Sequence, residues 1–155
     1  MNDIESFVLL KYKILTHDAS TWVLCETYPL EVRKNWAWRC AEDVEHLATT
    51  KETKEVYRVA RLYCDGKATG KELADAVDTL YTVANASTNA AYYVAYAGIY
   101  AAVSNAAAIN AAYAADDAAN AADYAARGIT TYVTKWNLYI NWLIEELCKY
   151  EGLEK

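Results

Sequence analysis

At 155 residues the chain is long enough for one domain that buries about two thirds of its unfolded surface without metal or disulfide staples. One Pro and five Gly exclude a turn-rich β architecture, and an apolar fraction carried by Ala and Tyr points to helices. A net charge of −6 and a pI near 4.9 exclude nonspecific attraction to a nucleic-acid polymer, which needs clustered Lys and Arg; the acids are too scattered for a nucleic-acid mimic.

The expected fold class is all-α: a single-domain bundle of about six to seven helices over residues 1–155. Between Asp3 and Leu15, the residues Ile4, Phe7, Val8, Tyr12 and Leu15 fall at helical spacing and favour an amphipathic helix, although the short apolar runs there also read as a strand. Ser20–Tyr28 reads as a short helix ended by Pro29, a residue suited to the first turn of the element after it. The next helix is expected over Leu30–Leu47, with Trp36, Ala37, Cys40 and Ala41 as its packing face. Thr50 then caps a helix carrying Val56, Val59, Ala60, Leu62 and Tyr63, and Gly66 supplies the left-handed residue that ends it. Thr69, with Glu72 three residues on, forms a capping box for Leu73, Ala76, Val77, Leu80 and Val83.

The Ala-rich core helices are expected over residues 69–127, and Thr79–Ala115 is a run of thirty-seven residues without Asp, Glu, Lys, Arg or His. A helix with no charged face lies either in a protein core or across a membrane. Asn85, Asn89, Asn105 and Asn110, with Ser87, Thr88 and Ser104, argue for the core, because hydrocarbon would leave their polar groups unpaired. Breaks are expected at Asn85–Asn89 and near Ser104–Asn105, where side chains compete for backbone hydrogen bonds. The pattern then runs to Arg127 and stops at Gly128. Thr130 or Thr131 starts a last helix to about Tyr150, whose seam of Tyr132, Trp136, Tyr139, Leu143, Leu147 and Tyr150 should cover the Ala core as a lid.

Cys25, Cys40, Cys64 and Cys148 are far apart, form no CxxC unit and have only His17 and His46 for company, so reduced core thiols are expected, with no metal and no cofactor. No secretion signal is legible, and a cytoplasmic setting is the expectation. Glu42 and His46 are four apart, so the Glu-x-x-His unit of a di-metal bundle is missing. With no Gly-rich phosphate loop and no nucleophile–base pattern, no catalytic residue is assigned and a non-enzymatic protein is expected.

Three sets of residues remain as candidates for binding. Tyr92, Tyr96 and Tyr100 share one helical face, and Asn110, Tyr113, Asn120 and Tyr124 continue the mixture of ring and amide that could hold a planar ligand; the same spacing also suits core packing. Nine of the fifteen basic residues lie between Arg33 and Lys71; of these, Arg58 and Arg61 could present guanidinium forks to a phosphate or carboxylate, or lie on a solvated face with Glu52 and Glu55. Asp116, Asp117, Asn120, Asp123 and Arg127 form either an acidic patch for a basic surface or a solvated helical segment, with Asp123 and Arg127 paired.

The segments Trp36-Ala-Trp-Arg-Cys40-Ala-Glu-Asp-Val44, Arg61-Leu-Tyr-Cys-Asp-Gly66 and Glu72-Leu73, with the Ala-rich tract to Ala126, resemble the immunity proteins of bacterial polymorphic toxin systems. In that family a WA-x-x-CA-x-x-V helix precedes an Arg, an aromatic residue and a Gly, and then Ala-rich helices. The resemblance spans roughly Trp36–Gly128, and this sequence departs from it by its many Asn and Tyr residues in the tract. It implies a protein that binds and neutralises a toxin or effector, and it transfers no catalytic residue.

The leading expectation is thus an all-α inhibitor whose anchors are Trp36, Trp38, Trp136 and Trp142. A second is a phage-type counter-defence sponge that sequesters a nucleotide-like signal among Tyr92, Tyr96, Asn110 and Arg61. A third is a structural homo-oligomer joined through Ala faces. A sponge requires a closed aromatic cavity with cations at its mouth, whereas an inhibitor requires a broad exposed patch.

Overall fold

The computed structural model describes residues 30–82, 89–104, 108–126 and 129–151, which form six α-helices and no strand. The all-α bundle expected from composition is the observed architecture. The expected elements at Asp3–Leu15 and Ser20–Tyr28, the polar residues Asn85–Thr88 and the Arg127–Gly128 terminus lie outside the described residues.

Helix α1, Leu30–Asp43, buries Trp36, Ala37, Cys40 and Ala41, the face expected from spacing. It stops four residues before the expected Leu47: Asp43 is its last residue, and the chain tightens into a single 3-10 turn at Glu45–Leu47. That turn is held by Leu47 N–H donating to the Val44 carbonyl and Ala48 N–H to the Glu45 carbonyl, both at 2.9 Å. The helical spacing of Val44 and Leu47 is real, but the Asp43 carboxylate is drawn to Lys135 and Tyr139 of another helix, and the main chain turns there.

Helix α2, Lys51–Cys64, starts as the sequence predicts: the Thr50 hydroxyl accepts from the Thr53 N–H at 3.1 Å. It ends in a Schellman motif, with Lys67 N–H donating to the Leu62 carbonyl at 2.7 Å and Gly66 N–H to the Tyr63 carbonyl at 3.1 Å. Gly66 has φ +75°, the left-handed conformation that favours a residue without Cβ. Helix α3, Gly70–Thr82, opens with Glu72 N–H donating to the Thr69 hydroxyl at 3.1 Å. The capping box is half made, because the Glu72 carboxylate accepts from the Thr69 hydroxyl at 3.3 Å and not from its main chain.

Helices α4, Asn89–Ala102, and α5, Ala108–Ala126, are the most extensively packed pair. Tyr93 meets Tyr124 and Tyr100 meets Tyr113, so the two helices run antiparallel. Their seam is made of buried alanines, including Ala97, Ala101, Ala114, Ala118 and Ala121, which let the backbones approach closely. The break expected near Ser104–Asn105 separates them: the Ser104 hydroxyl donates to the Ala101 carbonyl at 2.7 Å. Buried Arg33 of α1 crosses to this end and donates from Nε to the Ser104 carbonyl at 3.0 Å, where the α4 dipole is negative.

Helix α6, Ile129–Glu151, begins just before the expected threonines and lays Trp136, Tyr139, Ile140 and Leu143 on α5 and α1. Of the seam expected to cover the Ala core, Trp136, Tyr139 and Leu143 are buried and Tyr132 is half-buried, whereas Tyr150 is exposed and the Leu147 side chain lies outside the described residues. Helix α2 packs on α4, and α3 packs on α2. Among the described residues, no helix is long and apolar enough to cross a membrane.

Candidate functional site

Two surfaces carry the polar chemistry. The first is a groove along α2. Lys54, Tyr57, Arg58, Arg61, Leu62 and Asp65 recur every three or four residues and so share one face of this helix. The Glu45–Leu47 turn and the two residues after it supply the opposite wall through Glu45, His46, Ala48 and Thr49. The early stop of α1 at Asp43 makes this wall. Between the two lies an open cavity of about 810 Å³.

Arg61 is oriented from below and from the side. Its guanidinium carbon sits 4.2 Å from the Trp38 ring centroid and 5.8 Å from that of Tyr57, and it donates to Glu42 Oε1 at 2.7 Å. Trp38 stands edge-on to Tyr57 with centroids 5.7 Å apart, and its Nε1–H donates to Cys64 Sγ at 3.2 Å. Arg58 is held by both oxygens of Glu55, at 2.9 and 2.7 Å. Tyr57 is 3% exposed, and its hydroxyl has no hydrogen-bond partner among the described residues. Burial pushes this phenol well above its ordinary range, with the Glu45 carboxylate adding to the effect and Arg61 opposing it.

The second surface lies on the α4–α5 pair. Tyr93 stacks on Tyr124 and Tyr100 tilts against Tyr113, both with centroids 5.2 Å apart. Tyr113 and Tyr124 are 46% and 48% exposed. Between them on the same face of α5 stand Asp116, Asp117 and Asn120, at three- and four-residue spacing. Asp116 is a structural hub: its Oδ1 accepts from the Tyr132 hydroxyl and from Trp136 Nε1 at 3.2 Å, while Oδ2 accepts from Asn120 Nδ2 at 3.3 Å. Asp117 is pushed up to about 7 by burial and then by the charge of Asp116. Neither α4 nor α5 carries a Lys, Arg or His.

The structure separates the residues singled out from sequence. Arg58 and Arg61 line the groove, but no residue of the Ala-rich tract does, so Tyr92, Tyr96 and Asn110 do not converge on Arg61. Tyr92 and Tyr96 stack on each other at 6.1 Å, with Tyr92 packed toward Val56, Leu80 and Ala95. Asn110 donates from Nδ2 to the Val103 carbonyl at 3.0 Å and ties down the α4–α5 connection, and Asn120 is engaged by Asp116. Trp36 and Trp136 are corrected from partner anchors to core residues: both are fully buried, with Trp36 Nε1 donating to the Tyr139 carbonyl at 2.7 Å and Trp136 Nε1 to Asp116. Burial of an indole is favourable once its one N–H has an acceptor, and both acceptors lie inside the fold.

Sequence reasoning missed Lys54, Tyr57 and His46 as groove residues. The stripe on α2 could have shown the first two; the turn that presents His46 could not be read from spacing. Cys40 is buried, Cys64 is half-buried, and the Cys25 and Cys148 side chains lie outside the described residues. Among the described residues, no three His, Cys, Asp or Glu side chains come together as metal ligands. Comparison of the chain with protein-family models, with curated proteins and with solved structures gives no match.

Proposed function

We propose that this protein acts by binding another protein, and that the tyrosine–carboxylate face of α4 and α5 docks a basic effector. The observation that carries the reading is the pairing of half-exposed tyrosine rings with Asp116 and Asp117 on two helices that have no cation. Tyrosine supplies large contact area at small conformational cost, and an all-acidic surface selects a basic partner and speeds its approach. The immunity-protein resemblance points the same way, toward an effector that is neutralised by being covered. Enzymatic chemistry is not needed for this role. Two copies of the face would set carboxylates against carboxylates, which weighs against a homo-oligomer built on it.

The test is capture from cells of origin by the full immobilised chain, run beside a Tyr113→Ala/Tyr124→Ala variant. A basic protein retained by the parent and lost in the variant, whose toxicity on expression is suppressed by co-expression of the parent alone, supports the proposal. Capture that is equal for both proteins, or a captured protein whose toxicity is unaffected, counts against it.

A further inference from the structure

We propose that the groove between the Glu45–Thr49 wall and α2 binds a small phosphate-bearing molecule, a role separate from protein docking on α4 and α5. Lys54, Arg58 and Arg61 stand at i, i+4 and i+7 on the helix face that forms one wall. At 1.5 Å rise per residue their backbones span about 10 Å, so three permanent cations follow the groove along its length. The cavity of about 810 Å³ is of the size that holds a nucleotide-sized ligand.

The cations are available. Lys54 makes no ion pair among the described residues, whereas Arg58 and Arg61 are engaged by Glu55 and Glu42. Those carboxylates are about half exposed, and pairs of that kind contribute little, so an incoming dianion exchanges for them at small cost. Arg61 keeps its position during such an exchange because its planar face rests on Trp38. Tyr57 adds a donor: its hydroxyl is buried at the groove without an acceptor, a state that costs free energy until one arrives. Phosphate has the oxygens to accept from a guanidinium fork, an ammonium and a phenol together.

Charge also sets the size of the ligand. Glu45 and Asp65 line the same groove, and Glu55 and Glu42 hold Arg58 and Arg61, so three cations and His46 face two carboxylates only once a ligand has displaced the two paired ones. That balance suits one compact dianion and rejects a nucleic-acid polymer, whose binding grows with the number of neutralised phosphates. Ala48 and Leu62 offer apolar surface to an organic portion.

The experiment is amide chemical-shift mapping of the full chain during titration with adenosine monophosphate, inorganic phosphate and adenosine. Saturable shifts confined to residues 45–49 and 54–65 are expected with the two phosphate probes and not with adenosine. A lower midpoint for adenosine monophosphate assigns the apolar wall to an organic portion; equal midpoints assign the site to free phosphate, and both uphold the anion site. Lys54→Gln, at an exposed position, and Tyr57→Phe, which keeps the ring, should each weaken binding about tenfold, the loss of one charge-assisted or otherwise unsatisfied hydrogen bond. Absence of saturable groove shifts at millimolar phosphate probe, equal shifts with adenosine, or affinity unchanged in both variants would overturn the proposal.

Discussion

The ring of Tyr57 rests directly on Gly98: a Cβ at that position would stand 2.9 Å from Cδ2 and 3.3 Å from Cε2. This contact fixes how closely α2 approaches α4, and the ring, which is 3% exposed, also meets Trp38 and Arg61. Gly98→Ala sets two effects against each other. Helix propensity favours Ala by about 1 kcal/mol, whereas overpacking a filled site costs about 1–3 kcal/mol. The buried ring cannot swing away, so a net loss of roughly 1 kcal/mol is expected in urea unfolding. Gly70→Ala is the control: its nearest new contact is Tyr63 Cε2 at 4.0 Å, and it should be neutral or slightly stabilising.

Asp116→Ala should be among the most damaging changes on the α5 surface. It removes the acceptor of the fully buried Trp136 indole and of the Tyr132 hydroxyl. Losing these two bonds to one carboxylate costs about 2–4 kcal/mol in total. The loss should appear as a lower urea midpoint and a reduced near-ultraviolet circular dichroism signal, while Asp116→Asn, which keeps one carbonyl oxygen, retains part of the stability.

Asp117 gives stability a pH dependence of known sign. Its folded-state pKa is raised from 3.8 to about 7, so between those values the folded protein binds more protons at this site than the unfolded chain. Its contribution is therefore most favourable below pH 4 and is lost as pH rises through about 7. Asp117→Asn should stabilise the protein above pH 7 by about 1–3 kcal/mol and make no such difference below pH 4, as read by thermal unfolding across the range. A basic partner on this face would favour the ionised form, so its binding should release protons near neutrality and tighten as pH rises, an effect that calorimetry in buffers of different ionisation enthalpy can measure.

Gly66→Ala isolates a purely conformational cost. A Cβ there meets nothing within 4 Å, but φ is +75°, a value that costs an L-residue about 1–2 kcal/mol. A loss of that size in urea unfolding is expected, and Gly66→Asn should lose less.

Features that act within one turn were legible in the sequence. The Thr50 cap, the Thr69–Glu72 start and the Gly66 stop depend on residues no more than a few positions apart; the first and last are found as read, and the Thr69 start is found with half of its capping box. Features decided by distant partners were not. Asp43, where α1 ends, meets Lys135 and Tyr139, 92 and 96 residues away, and no local spacing reveals those contacts. The same distance hid the roles of Trp36 and Trp136: an indole reads equally well as interface anchor or core until its acceptor is known, and these acceptors lie on remote helices. The groove was half visible. Arg58 and Arg61 stood out by charge, but the facing wall exists only because the chain leaves α1 early.

The alanine seam between α4 and α5 has no rotamers. A methyl side chain loses no rotational freedom on burial and has none with which to absorb strain. Where alanine meets alanine, a push on either helix cannot be absorbed by a change of rotamer; in this helix pair that freedom belongs to the tyrosines, Tyr93 with Tyr124 and Tyr100 with Tyr113. Helix α4 holds Gly98 against Tyr57 at the groove and holds Tyr93 and Tyr100 against α5 at the other face. One helix thus lies behind both surfaces, the groove at Gly98 and the tyrosine face at Tyr93 and Tyr100.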